Sequence, residues 1–327
     1  MTWLGDKARG FSISRGIAGQ FKFVQVESYR IVQKLEFKHT ILYIYSQFKP
    51  DLVNIKDKYI SKQSGRLLSY FLQLGEDRFT YKEAFSALPD SKEGAIKQLL
   101  SDMTRRGLLL RLRKGVYQII PYEQDATNYL PNWHLTAAGL VKDANYYIGY
   151  YSALQIHQLI TQPSLKEQIV VSKQQWPSTT TLKNVAFQFI YHNPTHFFGA
   201  KKIWIDNHHQ VPCSDLEKTI VDCLFKPNYA GGITEVAKAI QTAKNRIQFD
   251  KLLIYVNQFR SKAVAKRLGF LLEVLDIASP IIDSLQQQKA SSYVVLDTEL
   301  PDAGPFVSRW GIRQNLDTAT IQSAIAT

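Results

Sequence analysis

The sequence predicts an α+β protein: an N-terminal winged helix-turn-helix followed by a mixed α/β C-terminal domain. Three observations carry this. Residues 61–122 read as three short helices and a basic β-hairpin. The positive charge is concentrated at the same end of the chain: residues 1–122 hold 21 Lys/Arg against 11 Asp/Glu, whereas residues 123–327 hold 19 against 17. From Asn145 onward, strands and helices follow one another without the regular βαβ order of a nucleotide-binding sheet.

Residues 1–60 carry a net charge of +5 and no clear caps or turns. Two readings of them stay open: a poorly ordered arm, or an over-long reading of the gene. The next stretch is more legible. Leu67, Leu68, Phe71 and Leu72 recur at helical spacing, and Gly75 follows as a stop. Thr80-Tyr-Lys-Glu83 is a capping box, opening a short helix with Ala84, Phe85 and Leu88 that Pro89 ends. Asp90-Ser-Lys-Glu93 has the form of a second box. It opens a longer helix with Ile96, Leu99, Leu100 and Met103 on one face, closed by Gly107. Leu110 and Leu112 then alternate with Arg111 and Arg113, Arg113-Lys-Gly115 turns, and Val116–Ile119 returns as a second strand.

At 100° per residue, Ser91, Gly94, Lys97, Gln98, Ser101 and Arg105 point away from the third helix's apolar face. Lys, Gln, Ser and Arg are side chains that reach base edges and phosphates in a major groove. The expected DNA-binding set is Ser91, Lys92, Lys97, Gln98, Ser101 and Arg105 on the helix, with Arg111, Arg113 and Lys114 on the hairpin. Residues 91–114 hold seven Lys/Arg and two Asp/Glu, a balance that suits a polyanion.

Residues 123–145 read as a connector. In the region 146–327, Tyr146–Leu159 is expected to be a helix. Gln168–Lys173, Val185–His192 and Lys202–Ile205 are expected strands, and Ser214–Phe225 a helix. After the Gly231-Gly232 turn come a helix to Lys244, two more over Phe249–Phe259 and Lys262–Leu275, and a short strand at Tyr293–Leu296.

At 327 residues, 45% hydrophobic and 21% charged, the chain is normal for a globular protein and excludes wholesale disorder. No apolar run approaches the ~20 residues of a membrane span. Residues 1–20 lack the form of a secretory signal, so a cytoplasmic protein is expected. Cys213 and Cys223 are too few for a disulfide framework and read as small buried hydrophobes. No phosphate loop or nucleophile elbow is present. Asn193-Pro194 separates His192 from His196, His208-His209 reads as a turn, and His157 reads as a half-buried, hydrogen-bonded residue; no metal or cofactor is expected. Ser214-Asp-Leu-Glu217 reads as a capping box, and Lys218 and Asp222 as an i,i+4 pair. Glu167 before the Val170–Lys173 strand leaves one enzymatic alternative, a metal-dependent nuclease using Glu167 and Lys173.

Five further stretches, in order, resemble the AbiEi family of antitoxins. They are Tyr146-Tyr-Ile-Gly-Tyr-Tyr-Ser-Ala-Leu-Gln-Ile-His-Gln-Leu159, His196-Phe-Phe-Gly199, Cys213-Ser-Asp-Leu-Glu-Lys-Thr-Ile-Val-Asp222, Ala230-Gly-Gly-Ile233 and Arg267-Leu-Gly-Phe-Leu-Leu-Glu273. Arg105-Arg-Gly-Leu-Leu-Leu-Arg-Leu-Arg-Lys-Gly-Val-Tyr117 is similar to that family's wing. The resemblance covers about 61–315; Gln158 stands where the family commonly has glycine. It implies a type IV toxin–antitoxin system. The antitoxin would repress its own operon at inverted repeats in promoter DNA, with two protomers on the repeat. It would counteract a nucleotidyltransferase-like toxin without a stable complex, and would not itself be an enzyme. A ligand-responsive winged-helix regulator without a toxin is the other reading to be tested.

Overall fold

In a computed structural model, which describes residues 58–164, 166–288 and 291–325, the chain is anchored at once by Lys58. This lysine is buried, and its ammonium donates to the carbonyls of Pro121 (3.0 Å), Tyr122 (3.0 Å) and Gln124. The reading of residues 1–60 lies outside the described residues, except for 58–60.

Helix α1 (Lys62–Gln73) starts where the Ser61 hydroxyl accepts from the Ser64 N–H, and stops at Gly75, whose φ of +72° suits a residue without Cβ. Its Leu67 and Phe71 are buried, and the Phe71 ring stacks on Phe79 at 4.3 Å. Phe79 lies on β1 (Arg78–Thr80), a three-residue strand too short to register in the sequence pattern. The capping box of α2 (Tyr81–Ala87) is complete: Glu83 N–H donates to Thr80 Oγ1 (3.2 Å) and Thr80 N–H to Glu83 Oε2 (2.6 Å).

The second expected box does not form. Helix α3 (Glu93–Arg105) begins after Lys92 with no side-chain cap, because a turn from Ser91 N–H to Leu88 O delays the helix by two residues. Asp90 instead faces Arg66 at 3.7 Å. The buried face of α3 is Ile96, Leu100 and Met103, spaced i, i+4, i+7, so Leu99 sits at its flank, half-buried, and not at its centre.

Strands β2 (Leu109–Arg113) and β3 (Val116–Ile119) form the expected hairpin, with Gly115 at φ +76° in the turn. β1 adds to the far side of β3, giving the antiparallel order β1-β3-β2. A register shift lies between Arg111 and Arg113.

Residues 123–145 contain a packed helix, α4 (Trp133–Leu140), which the sequence reading took as part of a connector. Asn132 caps it by accepting from His134 N–H (3.0 Å) and Leu135 N–H (3.3 Å). The β2 strand presses against it. A Cβ on Gly139 would fall 2.4 Å from Leu112 Cδ1 and 2.8 Å from Arg78 Cδ, so only glycine fits.

The expected helix from Tyr146 begins instead as a strand, β4 (Tyr146–Ile148), and turns helical only at α5 (Tyr150–Ile156). The break is at Gly149, extended and packed so that a Cβ would lie 2.7 Å from Val170 Cγ2, and at Tyr150, whose φ is +52°. Strands β5 (Lys166–Val171), β6 (Thr179–Leu182), β7 (Val185–Tyr191), β8 (Ala200–Trp204) and β9 (Gln210–Ser214) complete a six-stranded mixed sheet in the order β6-β7-β5-β4-β9-β8. β5 and β7 are parallel; β4–β5, β6–β7 and β8–β9 are antiparallel.

Helices α6 (Leu216–Phe225), α7 (Ile233–Ala243), α8 (Phe249–Phe259) and α9 (Lys262–Val274) share the largest apolar core with α5. The last elements are α10 (Ile282–Gln287), β10 (Val294–Val295), β11 (Phe306–Val307), β12 (Ile312–Arg313) and α11 (Thr318–Ile325). Trp310 among them packs against Gly269, where a Cβ would fall 2.0 Å from the indole. The fold is thus a mixed α/β arrangement of helices with several sheets. Among the described residues no helix is long and apolar enough to cross a membrane.

Candidate nucleic-acid interface

Tyr81, the first residue of α2, joins two basic elements. Its N–H donates to Gly115 O at the hairpin turn (2.8 Å), and its hydroxyl donates to Glu93 O at the start of α3 (3.3 Å). The Lys97 ammonium lies 5.8 Å from its ring centroid. The hairpin tip with Lys114, held by the main chain of Tyr81, and the N-terminal end of α3 with Lys92 and Lys97, met by its side chain, therefore flank one residue. Nothing in the sequence pattern marked Tyr81 for this; Thr80 was legible as a cap, but the contacts are tertiary.

Lys97, Gln98, Ser101 and Arg105 on α3 are exposed, as is Lys92 just before it, and Ser91 is half-buried. A Cβ on Gly94 would meet nothing within 4 Å, so this end of the helix is open. Two carboxylates on the same helix hold three of the expected base readers. Glu93 pairs with Lys97 at 2.6 Å, while Asp102 binds Arg105 and accepts from Gln98 Nε2 at 3.0 Å. The hydrogen bond and charge of Glu93 raise the Lys97 ammonium above its ordinary range, and Lys97 lowers Glu93 in return.

The three hairpin cations differ. Arg111 and Lys114 are exposed. Arg113 is half-buried and faces α4: its Nε donates to Gly139 O (2.9 Å) and its terminal nitrogen to Val141 O (3.4 Å). It fastens the hairpin to the rest of the fold, so the hairpin's outward charge comes from Arg111 and Lys114.

The other charged cluster is internal. Lys218 and Asp222, one turn apart on α6, have no exposed side-chain surface and form an ion pair. Lys218 Nζ also donates to Tyr147 Oη (3.0 Å), and the Tyr147 hydroxyl to Asp222 Oδ2 (3.0 Å). The Tyr150 hydroxyl lies 2.8 Å from His192 Nε2, and His192 Nδ1 lies 3.2 Å from Tyr147 Oη. A ring proton on Nδ1 gives every one of these donors an acceptor. Phe198 and Phe259 face the ammonium at 4.9 and 5.1 Å from their centroids.

Burial pushes the Lys218 ammonium down and the Asp222 carboxyl up, and the attraction between them opposes both shifts. Burial, then the Lys218 charge, lowers His192 to about 3, so this ring is neutral. The group is a paired polar core with no surface for a substrate to approach.

The remaining candidates have structural partners. Glu167 is buried on β5, accepts from or shares a proton with His134 Nδ1 (2.9 Å), and is pushed up by burial; Lys173 is exposed beyond the end of that strand. Among the described residues no group of three or more His, Cys, Asp or Glu is arranged to hold a metal. The expected capping box at Ser214–Glu217 is corrected: Asp215 is the cap, accepting from Lys218 N–H (3.0 Å). Glu217 reaches α8 instead, accepting from Gln248 N–H (3.0 Å) and Lys251 Nζ (2.8 Å).

His157 Nε2 bonds Ser214 O at 2.8 Å, and both cysteines are buried and free. At the Gly231-Gly232 turn, the Asp297 carboxylate accepts from Ile233 N–H (2.7 Å), filling the helix end where a phosphate would sit.

No family model matches the sequence, and no curated protein matches it. The fold is similar to that in the crystal structure of the RV2827C protein from Mycobacterium tuberculosis, with a TM-score of 0.63 at 12% identity. The similarity covers 83% of this chain and 97% of that one.

Proposed function

We propose that residues 61–122 are a winged helix-turn-helix that binds double-stranded promoter DNA, with α3 in the major groove and the β2–β3 hairpin on the backbone. The observation that carries this is the convergence on Tyr81: its main-chain N–H holds the basic hairpin tip and its side chain meets the start of α3, with that helix's exposed Lys/Gln/Ser/Arg face. In this reading Lys97, Gln98, Ser101 and Arg105 read bases, while Lys92, Arg111 and Lys114 neutralise phosphates. The Glu93 and Asp102 pairs hold the readers extended until phosphates or bases replace the carboxylates.

The ordered motifs from Tyr146 to Glu273 support the further reading that the chain is a type IV antitoxin of the AbiEi kind. It would work in the cytoplasm, repress its own operon as two protomers on an inverted repeat, and antagonise a nucleotidyltransferase-like toxin without a lasting complex. The buried pairing of Lys218, Asp222 and His192 favours a binding protein over an enzyme in this part of the chain.

A gel-shift titration of the full chain against the DNA upstream of its own gene, beside a scrambled duplex of equal length, tests the first half. Preference for the upstream DNA, reduced by Arg111→Ala/Lys114→Ala at unchanged melting temperature, is expected. Equal affinity of wild type and double variant overturns it. Rescue of growth during induction of the neighbouring gene product tests the antitoxin half. DNA binding without rescue would favour a plain regulator.

A further inference from the structure

The hairpin assigned to the DNA backbone is braced from outside the winged helix. The order β1-β3-β2 leaves β2 as an edge strand, paired on one side. Helix α4 packs against β2 and also against β5 of the six-stranded sheet. From the winged helix, two arginines reach its main chain. Arg78 of β1 donates to Leu135 O (2.7 Å), and Arg113 of β2 to Gly139 O (2.9 Å) and to Val141 O just beyond the helix (3.4 Å). From the sheet side, α4 is held at both ends. At its start, His134 Nδ1 lies 2.9 Å from Glu167 Oε1 on β5, a buried pair. At its end, the buried Gln175 donates through Nε2 to Leu140 O (3.2 Å) and accepts through Oε1 from Lys142 N–H (3.0 Å). Leu112 and Val116 of the hairpin share one buried apolar cluster with Leu140 of α4 and with Ile169 and Phe187 of the sheet.

We propose that α4 sets the position of the β2–β3 hairpin on DNA, with Glu167 and Gln175 as positioning residues that act through it. This rests on the DNA-binding reading above. The first argument is local. The strands β1, β2 and β3 are only 3, 5 and 4 residues long, so their own ladder is short and the packed helix decides where the edge strand sits. The register shift between Arg111 and Arg113 sends the two side chains to different surroundings, Arg111 to solvent and Arg113 onto α4. One irregularity thus presents a cation and anchors the strand that carries it.

The second argument is the nature of the links. Those between α4 and the sheet are buried polar contacts, and each leaves an unsatisfied group behind when broken. Helix α4 therefore follows the sheet, and the hairpin follows α4. Neither Glu167 nor Gln175 belongs to the expected DNA-contacting set, yet both would bear on DNA affinity. The carboxylate that the sequence alone offered to a nuclease takes this role through His134. The unit that binds DNA would then extend past residue 122 to include α4 and β5.

The test uses the full chain at a temperature where circular dichroism shows each variant folded. Hydrogen exchange over residues 109–119 reads the anchoring of the hairpin without DNA, and a salt series on the upstream DNA reads its contacts. Glu167→Ala and Gln175→Ala are each expected to speed exchange in the hairpin. Each should also make the slope of log affinity against log salt shallower, by up to ~1.8 for the contacts of Arg111 and Lys114 at ~0.9 each. Glutamine can accept from or donate to His134 Nδ1, so Glu167→Gln should restore both readouts. In an Arg111→Ala/Lys114→Ala background, Glu167→Ala should change the slope and affinity no further, because the contacts it disturbs are already gone. A general loss of stability would instead add in both backgrounds.

If Glu167→Ala does not fold, Gln175→Ala in the same two backgrounds carries the test. Unchanged exchange and slope in the folded variants overturn the positioning role and leave the α3 reading standing. Equal losses of affinity with and without the hairpin cations make both residues merely structural, which overturns it as well. Faster exchange with an unchanged slope overturns the link from hairpin position to DNA. Failure of wild type to bind any duplex removes the DNA reading, and this proposal with it.

Discussion

The two halves of the described chain put their charge in opposite places. In residues 58–122 Lys97 and Arg105 of α3 stand in solvent, each paired with a carboxylate one helical turn away, and Arg111 and Lys114 stand in solvent on the hairpin. In the second half Lys218, Asp222, Glu167, Glu217, Lys266 and Arg267 are all buried, and Arg267 donates to the carbonyls of Leu224 and Val295 (both 2.8 Å). Surface pairs contribute little to stability, so the first half can exchange its partners for phosphates at small cost. Buried pairs fix one arrangement, and removing one partner strands the other. The same residue types are therefore open to an external ligand in one half and serve internal architecture in the other. Net charge by region, +6 over residues 58–122 against +2 over residues 123–327, reflects that division only in outline.

The largest effect that would break the comparison lies at Asp222. Asp222→Ala leaves the Lys218 ammonium buried without its carboxylate and should cost about 3–5 kcal/mol in urea unfolding. Replacing both residues, Lys218→Met with Asp222→Leu, should recover most of that loss. A single variant as stable as wild type would mean the pair is not buried. His192 adds a pH dependence. Its ring titrates near 6.5 when unfolded and about 3 when folded. Between those values only the unfolded chain takes up this proton, so stability is full above pH 6.5. It falls by about 1.4 kcal/mol per unit as the pH drops through the window. His192→Gln should flatten that part of the stability–pH curve.

Next in size is the core of α3. Leu100→Ala should cost ~2–5 kcal/mol and Leu99→Ala about 1 kcal/mol, measured by thermal melting. Equal losses would put the buried face back at Leu99.

Arg113 and Arg111 sharpen the comparison within one hairpin. Arg113→Ala removes donors from the Gly139 and Val141 carbonyls and should cost ~1–3 kcal/mol of stability. Arg111→Ala should leave melting unchanged and reduce the salt slope of DNA binding by ~0.9. A stability loss at Arg111, or none at Arg113, would reverse the two roles.

Much of the first half was legible because its signals are local. The Thr80–Glu83 box and the Gly75 and Gly115 positions each act within four residues, whereas the expected alternation of Leu110 and Leu112 with Arg111 and Arg113 is broken by the register shift between the two arginines. The phase of α3 was legible only to within one position, since Leu99 and Leu100 are equally apolar and packing decides between them. Elements made by tertiary contact were missed. β1 exists because β3 pairs with it, β9 because β8 does, and β4 because Gly149 must pass Val170 closely. In the candidate interface, sequence alternation grouped Arg113 with Arg111; only the position of α4, itself missed inside the expected connector, separates them. The i,i+4 spacing of Lys218 and Asp222 was visible, but its burial depends on Tyr147 and His192, 71 and 26 residues from Lys218 in sequence, and no local pattern encodes that.

The smallest change in stability carries the finest test of the exposed half. Glu93 sits in the first turn of α3, where a carboxylate favours the helix dipole, and it pairs with Lys97 in full solvent. Glu93→Gln should therefore leave the melting temperature close to that of wild type. Its effect on DNA should have the opposite sign. The carboxylate competes with phosphate for Lys97 and is itself repelled by the duplex, so its neutralisation should tighten binding to any sequence. It should also steepen the salt slope, by up to ~0.9 if Lys97 gains one phosphate. The same substitution at Glu235, whose pair with Lys238 lies on α7, should leave DNA binding unchanged. Tightening by Glu93→Gln alone would locate the polyanion at the start of α3. Equal behaviour of the two variants would mean that Lys97 stands clear of the DNA, and the base-reading face would then shrink to Gln98, Ser101 and Arg105.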